Sequence, residues 1–101
     1  MTALQLFEPN PHTVYSIDAA ARLANVPRHS ILVYYKHGLI EPIVGDEGAY
    51  YFDEGSLRLL RRVDYLHSEC GINFQGVRMV LDLMNEVERL QSENRFLRRW
   101  R

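Results

Sequence analysis

With 101 residues and 47% apolar content, the chain has enough material for one domain with its own core and no room for a catalytic domain beside it. A formal charge of −1 argues against the strongly electropositive surface that nonspecific nucleic-acid binding requires. No run approaches the roughly 20 apolar residues of a membrane helix, residues 1–11 lack the features of a signal peptide, and Cys70 is the only cysteine. The default is a cytoplasmic binding module without a disulfide.

Residues 1–13 contain Pro9 and Pro11 and no hydrophobic period, and read as a flexible N-terminal arm. Ser16 is suited to cap a short helix whose apolar residues Ile17, Ala20, Ala21 and Ala24 recur at helical spacing, with Asn25 to end it. A second helix is predicted from near Pro27 to His37, closed by Gly38 in the left-handed conformation. Two short helices joined at Asn25-Val26 make a helix-turn-helix.

The turn cluster Gly45, Asp46, Glu47 and Gly48 then separates Pro42-Ile43-Val44 from Ala49-Tyr50-Tyr51-Phe52, which predicts a two-stranded wing. Asp53 is placed to cap a third helix to about Cys70, with Leu59, Leu60, Val63 and Leu66 inside and Arg58, Arg61 and Arg62 mostly outside. Gly71 closes it and Asn73 caps a long helix from Phe74 to about Trp100.

Along that helix Val80, Leu83, Val87, Leu90, Asn94 and Leu97 alternate spacings of three and four, the coiled-coil repeat. A helix this long exceeds what so small a domain can cover, so these residues form the expected homodimer interface. Asn94 either pairs across the seam or lies at a solvated end. The domain organisation expected is therefore the arm at 1–13, a winged helix-turn-helix domain at 14–72 and a C-terminal coiled-coil dimerisation helix at 73–101.

Charge complicates a DNA-reading role. Residues 1–50 hold Arg22, Arg28 and Lys36 against Glu8, Asp18, Glu41, Asp46 and Glu47, a net of −2, where a DNA reader concentrates cations. His29, Leu32, Val33 and Lys36 make the outward face of the second helix. It suits an apolar partner better than phosphate, unless Leu32 and Val33 are core and the helix is rotated. His67 and Cys70 are three apart on a helix, but no Gly-rich phosphate loop, His-Glu zinc pattern or second cysteine accompanies them. Catalysis, a metal site and a cofactor are not expected.

The order of elements, with YSIDAAARLANVPRHSI and GLIEP, resembles the MerR family of regulators over roughly Val14 to Arg98. The resemblance implies a mainly α, MerR-like winged helix-turn-helix with a small two-stranded wing and a long C-terminal dimerisation helix. DNA-binding members have a second helix of the type TLRYYER and a wing of the type GGYRLY. The family's arginine falls here on Leu32 or Val33, and Ala49, Tyr50 and Tyr51 stand where the wing arginine is expected.

The C-terminal stretch FQGVRMVLDLMNEVERLQSENRFLRR is similar to the chaperone-modulator branch, CbpM, where WPGI...LTLMDDI..LKQENRLLR occurs. That resemblance implies a dimer that binds the J-domain of a CbpA-type, DnaJ-like co-chaperone and restrains its stimulation of the Hsp70 ATPase. A J-domain presents a basic helix, so its binder needs an acidic and apolar face. Leu32, Val33, Tyr35, Glu41, Asp46, Glu47 and Tyr50 are the candidate partner-binding residues on that ground. The alternative is a MerR-family transcriptional regulator resembling the heat-shock repressors, using Arg28, Arg58, Arg61 and Arg62 on phosphate; otherwise those arginines form a solvated face.

Overall fold

The computed structural model describes residues 13–100. The arm expected at 1–13 lies outside them except for Thr13. Strand β1 (Tyr15–Ser16) leads directly into helix α1 (Ile17–Ala24), where the Ser16 hydroxyl accepts the Ala19 N–H at 3.2 Å. Asn25 ends α1 with φ 56°, its N–H satisfying carbonyls of the last turn. Pro27, fixed at φ −59°, precedes helix α2 (Arg28–Lys36), and Gly38 at φ 71° turns the chain away. The Arg78 guanidinium donates to the Gly38 carbonyl, a cation at the negative end of α2.

The wing is the hairpin of β2 (Ile43–Val44) and β3 (Tyr50–Phe52), closed by Gly45 N–H to the Ala49 carbonyl at 2.8 Å. It gains a third strand that sequence patterning did not show. β1 pairs antiparallel with β3, Tyr15 opposite Phe52, giving the sheet order β1-β3-β2. The Tyr15 hydroxyl also donates to Glu54 at 2.7 Å, tying β1 to the next helix.

Helix α3 (Glu54–Asp64) starts on Asp53, whose carboxylate accepts the Ser56 N–H at 2.8 Å. The regular helix ends sooner than the pattern predicts, because residues Tyr65–Glu69 form a π-helical turn in which Cys70 N–H reaches back to the Tyr65 carbonyl. The inner face of α3 also differs. Leu57, Leu60 and Val63 are fully buried, while Leu59 and Leu66 pack half-buried at the margin. Asn73 caps helix α4 (Phe74–Arg99) by accepting the Gly76 N–H, and α4 extends for about 39 Å at roughly 1.5 Å per residue.

Phe52, Ile31, Leu57, Leu60, Val63 and Val77 are the largest fully buried side chains, each contributing roughly 1.5–3 kcal/mol of transfer free energy. Tyr34 joins them and donates to Asp64 at 2.7 Å; burial, then that carboxylate, raises its phenol above the ordinary range. α4 gives the core Val77 and Leu81, with Phe74 packed at its margin, then projects from it.

The Asp53 cap carries a pH signature. The Ser56 N–H, then the Ser56 hydroxyl, hold the Asp53 carboxyl below its ordinary value of 3.8. A depressed folded-state value contributes stability that is full above the unfolded value and is lost as pH falls through the folded one. Asp53→Ala is expected to cost about 1 kcal/mol in urea unfolding at pH 7. The deficit should shrink below pH 3.8, and an equal deficit at pH 7 and pH 3 would show that the carboxylate is not the stabilising form.

Candidate partner-binding face

α2 turns Ile31 and Tyr34 inward, so residues at the complementary helical positions face out. Leu32 is 39% exposed and Tyr35 38%, while His29 and Lys36 flank them in solvent and Val33 is half-buried. The rotated helix, with Leu32 in the core, is thereby ruled out. Tyr35 meets Tyr50 of the wing with ring centroids 5.0 Å apart, an aromatic bridge between helix and sheet. The neighbouring Tyr35 phenol raises the Tyr50 hydroxyl above its ordinary range.

Between α2 and the wing lies a cleft of about 300 Å³, bounded by Ile17, Arg28, Leu32, Ala49, Tyr50 and Tyr51. Of the residues singled out from sequence, it unites Leu32 with Tyr50; Tyr35 joins them through the ring contact. Asp46 and Glu47 lie at the wing turn and border a separate recess with Gly45, Ala49 and Tyr51. Glu41 is exposed in the α2–β2 connection and lines neither recess. Ile17, Ala49 and Tyr51 are additions that sequence reasoning missed. Their signal is three-dimensional: β1 and the start of α1 close one side of the cleft only because β1 pairs with β3. Ile43 and Val44, 45% and 59% exposed, were also missed and extend the apolar surface of the wing.

The cations are less available than their number suggests. Arg28 pairs with Asp18 at 3.2 Å, and Arg61 donates to the Leu23 carbonyl at 3.3 Å. Arg58 and Arg62 are exposed. Among the described residues Glu41, Asp46 and Glu47 enter no ion pair.

A second apolar surface runs down α4. Leu83, Val87, Leu90 and Leu97 are 50–63% exposed, Val80 is half-buried at the start of the row, and Asn94 is exposed within it. Shallow grooves of about 360 and 340 Å³ follow this row, the second beside Phe96 and Leu97. Charges of both signs run along the same helix: Arg89 pairs with Glu86 and Glu93, Asp82 and Glu88 lie beside them, and Arg95, Arg98 and Arg99 occupy its last turns, the negative end of the helix dipole. His67 stacks on Phe74 with centroids 4.3 Å apart, and its Nδ1 lies 2.8 Å from the Ile72 carbonyl oxygen; Cys70 is exposed. Packing thus accounts for His67. No helix among the described residues is long and apolar enough to cross a membrane.

The sequence profile of the MerR HTH family of regulatory proteins matches residues 15–99. This chain belongs to the MerR HTH family. Within it, chaperone modulatory protein CbpM of Pseudomonas putida strain GB-1 is 35% identical over 75 residues, 74% of each chain. The CbpM of P. putida strain W619 is 32% identical over the same share. These relatives put the chain in the CbpM-like branch of the MerR superfamily. Heat shock protein HspR of Streptomyces coelicolor is 31% identical over 87% of this chain, which spans 57% of that protein. The crystal structure of HiNmlR, a MerR family regulator lacking the sensor domain and bound to promoter DNA, superposes with a TM-score of 0.63 at 17% identity, covering 87% of this chain and 78% of that one. The likeness to HiNmlR establishes the MerR fold. The winged helix-turn-helix and the long C-terminal helix are thus the family's architecture, here with Leu32, Tyr35 and Tyr50 at the exposed junction of α2 and the wing.

Proposed function

We propose that this protein is a non-catalytic cytoplasmic regulator that binds the J-domain of a DnaJ-like, CbpA-type co-chaperone and withholds it from its Hsp70. The observation that carries this reading is the chemistry of the α2–wing face. Leu32 and the Tyr35–Tyr50 pair form an apolar centre, Asp46 and Glu47 stand at the turn of the same wing and Glu41 in the α2–β2 connection, all three without ion partners among the described residues, and Arg28 is paired with Asp18. Such a surface attracts a basic helix and repels phosphate. The CbpM relatives, named as chaperone modulatory proteins, support the same partner class.

Two copies act together in this reading, joined along α4. Val80, Leu83, Val87, Leu90, Asn94 and Leu97 form the seam.

The protein is expected to suppress co-chaperone-stimulated ATP hydrolysis by Hsp70 in a saturable manner, leaving the unstimulated Hsp70 rate unchanged. Stimulation that persists at saturating protein would defeat the proposal. The second reading, a DNA-binding transcriptional regulator, draws on exposed Arg58 and Arg62, on HspR, and on the promoter DNA bound to HiNmlR. It requires duplex affinity that falls steeply with salt.

A further inference from the structure

We propose that the cleft between α2 and the wing is an anchor pocket that takes one aliphatic side chain from a basic amphipathic helix of the partner. The inference rests on the co-chaperone reading and adds where the partner is gripped and by what. At about 300 Å³ the cleft is at the lower limit of the roughly 300–1,000 Å³ typical of small-molecule sites, and its size suits a side chain.

Its walls are apolar or already committed. Ile17, Leu32 and Ala49 supply aliphatic surface and Tyr50 and Tyr51 supply ring surface. The Ser16 hydroxyl at its edge is used by the cap of α1, and Arg28 is held by Asp18. The Ser16 oxygen and Arg28 thus each have a partner before anything enters, and the remaining side-chain walls are largely aliphatic and ring surface, which suits an apolar occupant. Gly48 at its edge has φ 77°, a conformation that favours glycine, and supplies backbone rather than a side chain to the lining.

Charge identifies the kind of helix. The wing that walls the cleft carries Asp46 and Glu47 at its turn, and the Tyr35–Tyr50 pair offers aromatic faces to a cation. A helix with an aliphatic residue flanked by Lys or Arg three or four positions away presents both chemistries on one face. Buried anchors in such pockets dominate binding energy, and charged rims set encounter rate.

Ala49→Trp tests the pocket. Ala49 lines the cleft, is exposed, and serves the hairpin through its backbone carbonyl, so an indole there adds bulk at the cleft without entering the core. Leu32→Asp is an independent probe from α2. The full-length protein and both variants are titrated calorimetrically with the isolated J-domain of the host's DnaJ-like co-chaperone, with melting temperature and sedimentation as controls. The expected result is at least a tenfold loss of affinity in each correctly folded variant. Parent-like affinity in both overturns the pocket while leaving the co-chaperone reading intact. Failure of the parent protein to bind the J-domain, with binding to duplex DNA instead, overturns both.

Discussion

In Val87→Asp, sedimentation is expected to report a monomer at concentrations where the parent chain is a dimer. Val87 is 51% exposed in the single chain and touches no part of the core, so the substitution leaves the winged domain's packing untouched. In the proposed dimer it sits at the middle of the seam, and a carboxylate there would be taken from water without a partner. One uncompensated buried charge costs roughly 3–5 kcal/mol, and a two-fold dimer contains two. Even one at the low end weakens association about a hundredfold, since 1.4 kcal/mol is tenfold. The helix content and the melting of the winged domain report separately on folding. A dimer of unchanged stability would remove Val87 from the interface and with it the proposed seam.

Asp46→Lys combined with Glu47→Lys is expected to weaken J-domain binding at least tenfold at low salt. Each residue is exposed at the wing turn and has no ion pair among the described residues, so the reversal changes the field presented to the partner while breaking no contact. Rim charges act mainly through encounter rate and are screened by salt. The Debye length falls from about 10 Å at 0.1 M to about 3 Å at 1 M. The difference from the parent should therefore narrow as salt rises, whereas loss caused by filling the cleft should appear in dissociation and resist salt. Unchanged affinity at low salt would move the binding site away from the wing.

What could be read from sequence divides along a physical line. Ser16, Asn25, Asp53 and Asn73 act within three or four residues of themselves, so their side-chain chemistry alone announced the ends of α1, α3 and α4. The glycines at 38 and 71 did the same through positive φ. On α2 the outward placement of His29, Leu32 and Lys36 was legible from helical period, whereas Val33, expected beside them, is half-buried.

Other features depend on distant partners. β1 is two residues long and exists because Tyr15 meets Phe52, so no local alternation marks it. Without β1 the wall of the cleft made by Ser16 and Ile17 was invisible. The π-helical turn at Tyr65–Glu69 escaped for a related reason. Its sequence suits an α-helix, and the extra residue sits where Asp64 reaches Tyr34 and His67 packs on Phe74, contacts that span the fold.

The measurement that bears most directly on the central claim is a side-by-side titration of the purified protein with the isolated J-domain of its host's CbpA-like co-chaperone and with random duplex DNA, both at physiological salt. Micromolar or tighter J-domain binding, with negligible DNA binding, is the predicted result. Salt-sensitive DNA binding without affinity for the J-domain would contradict it and make the protein a transcription factor.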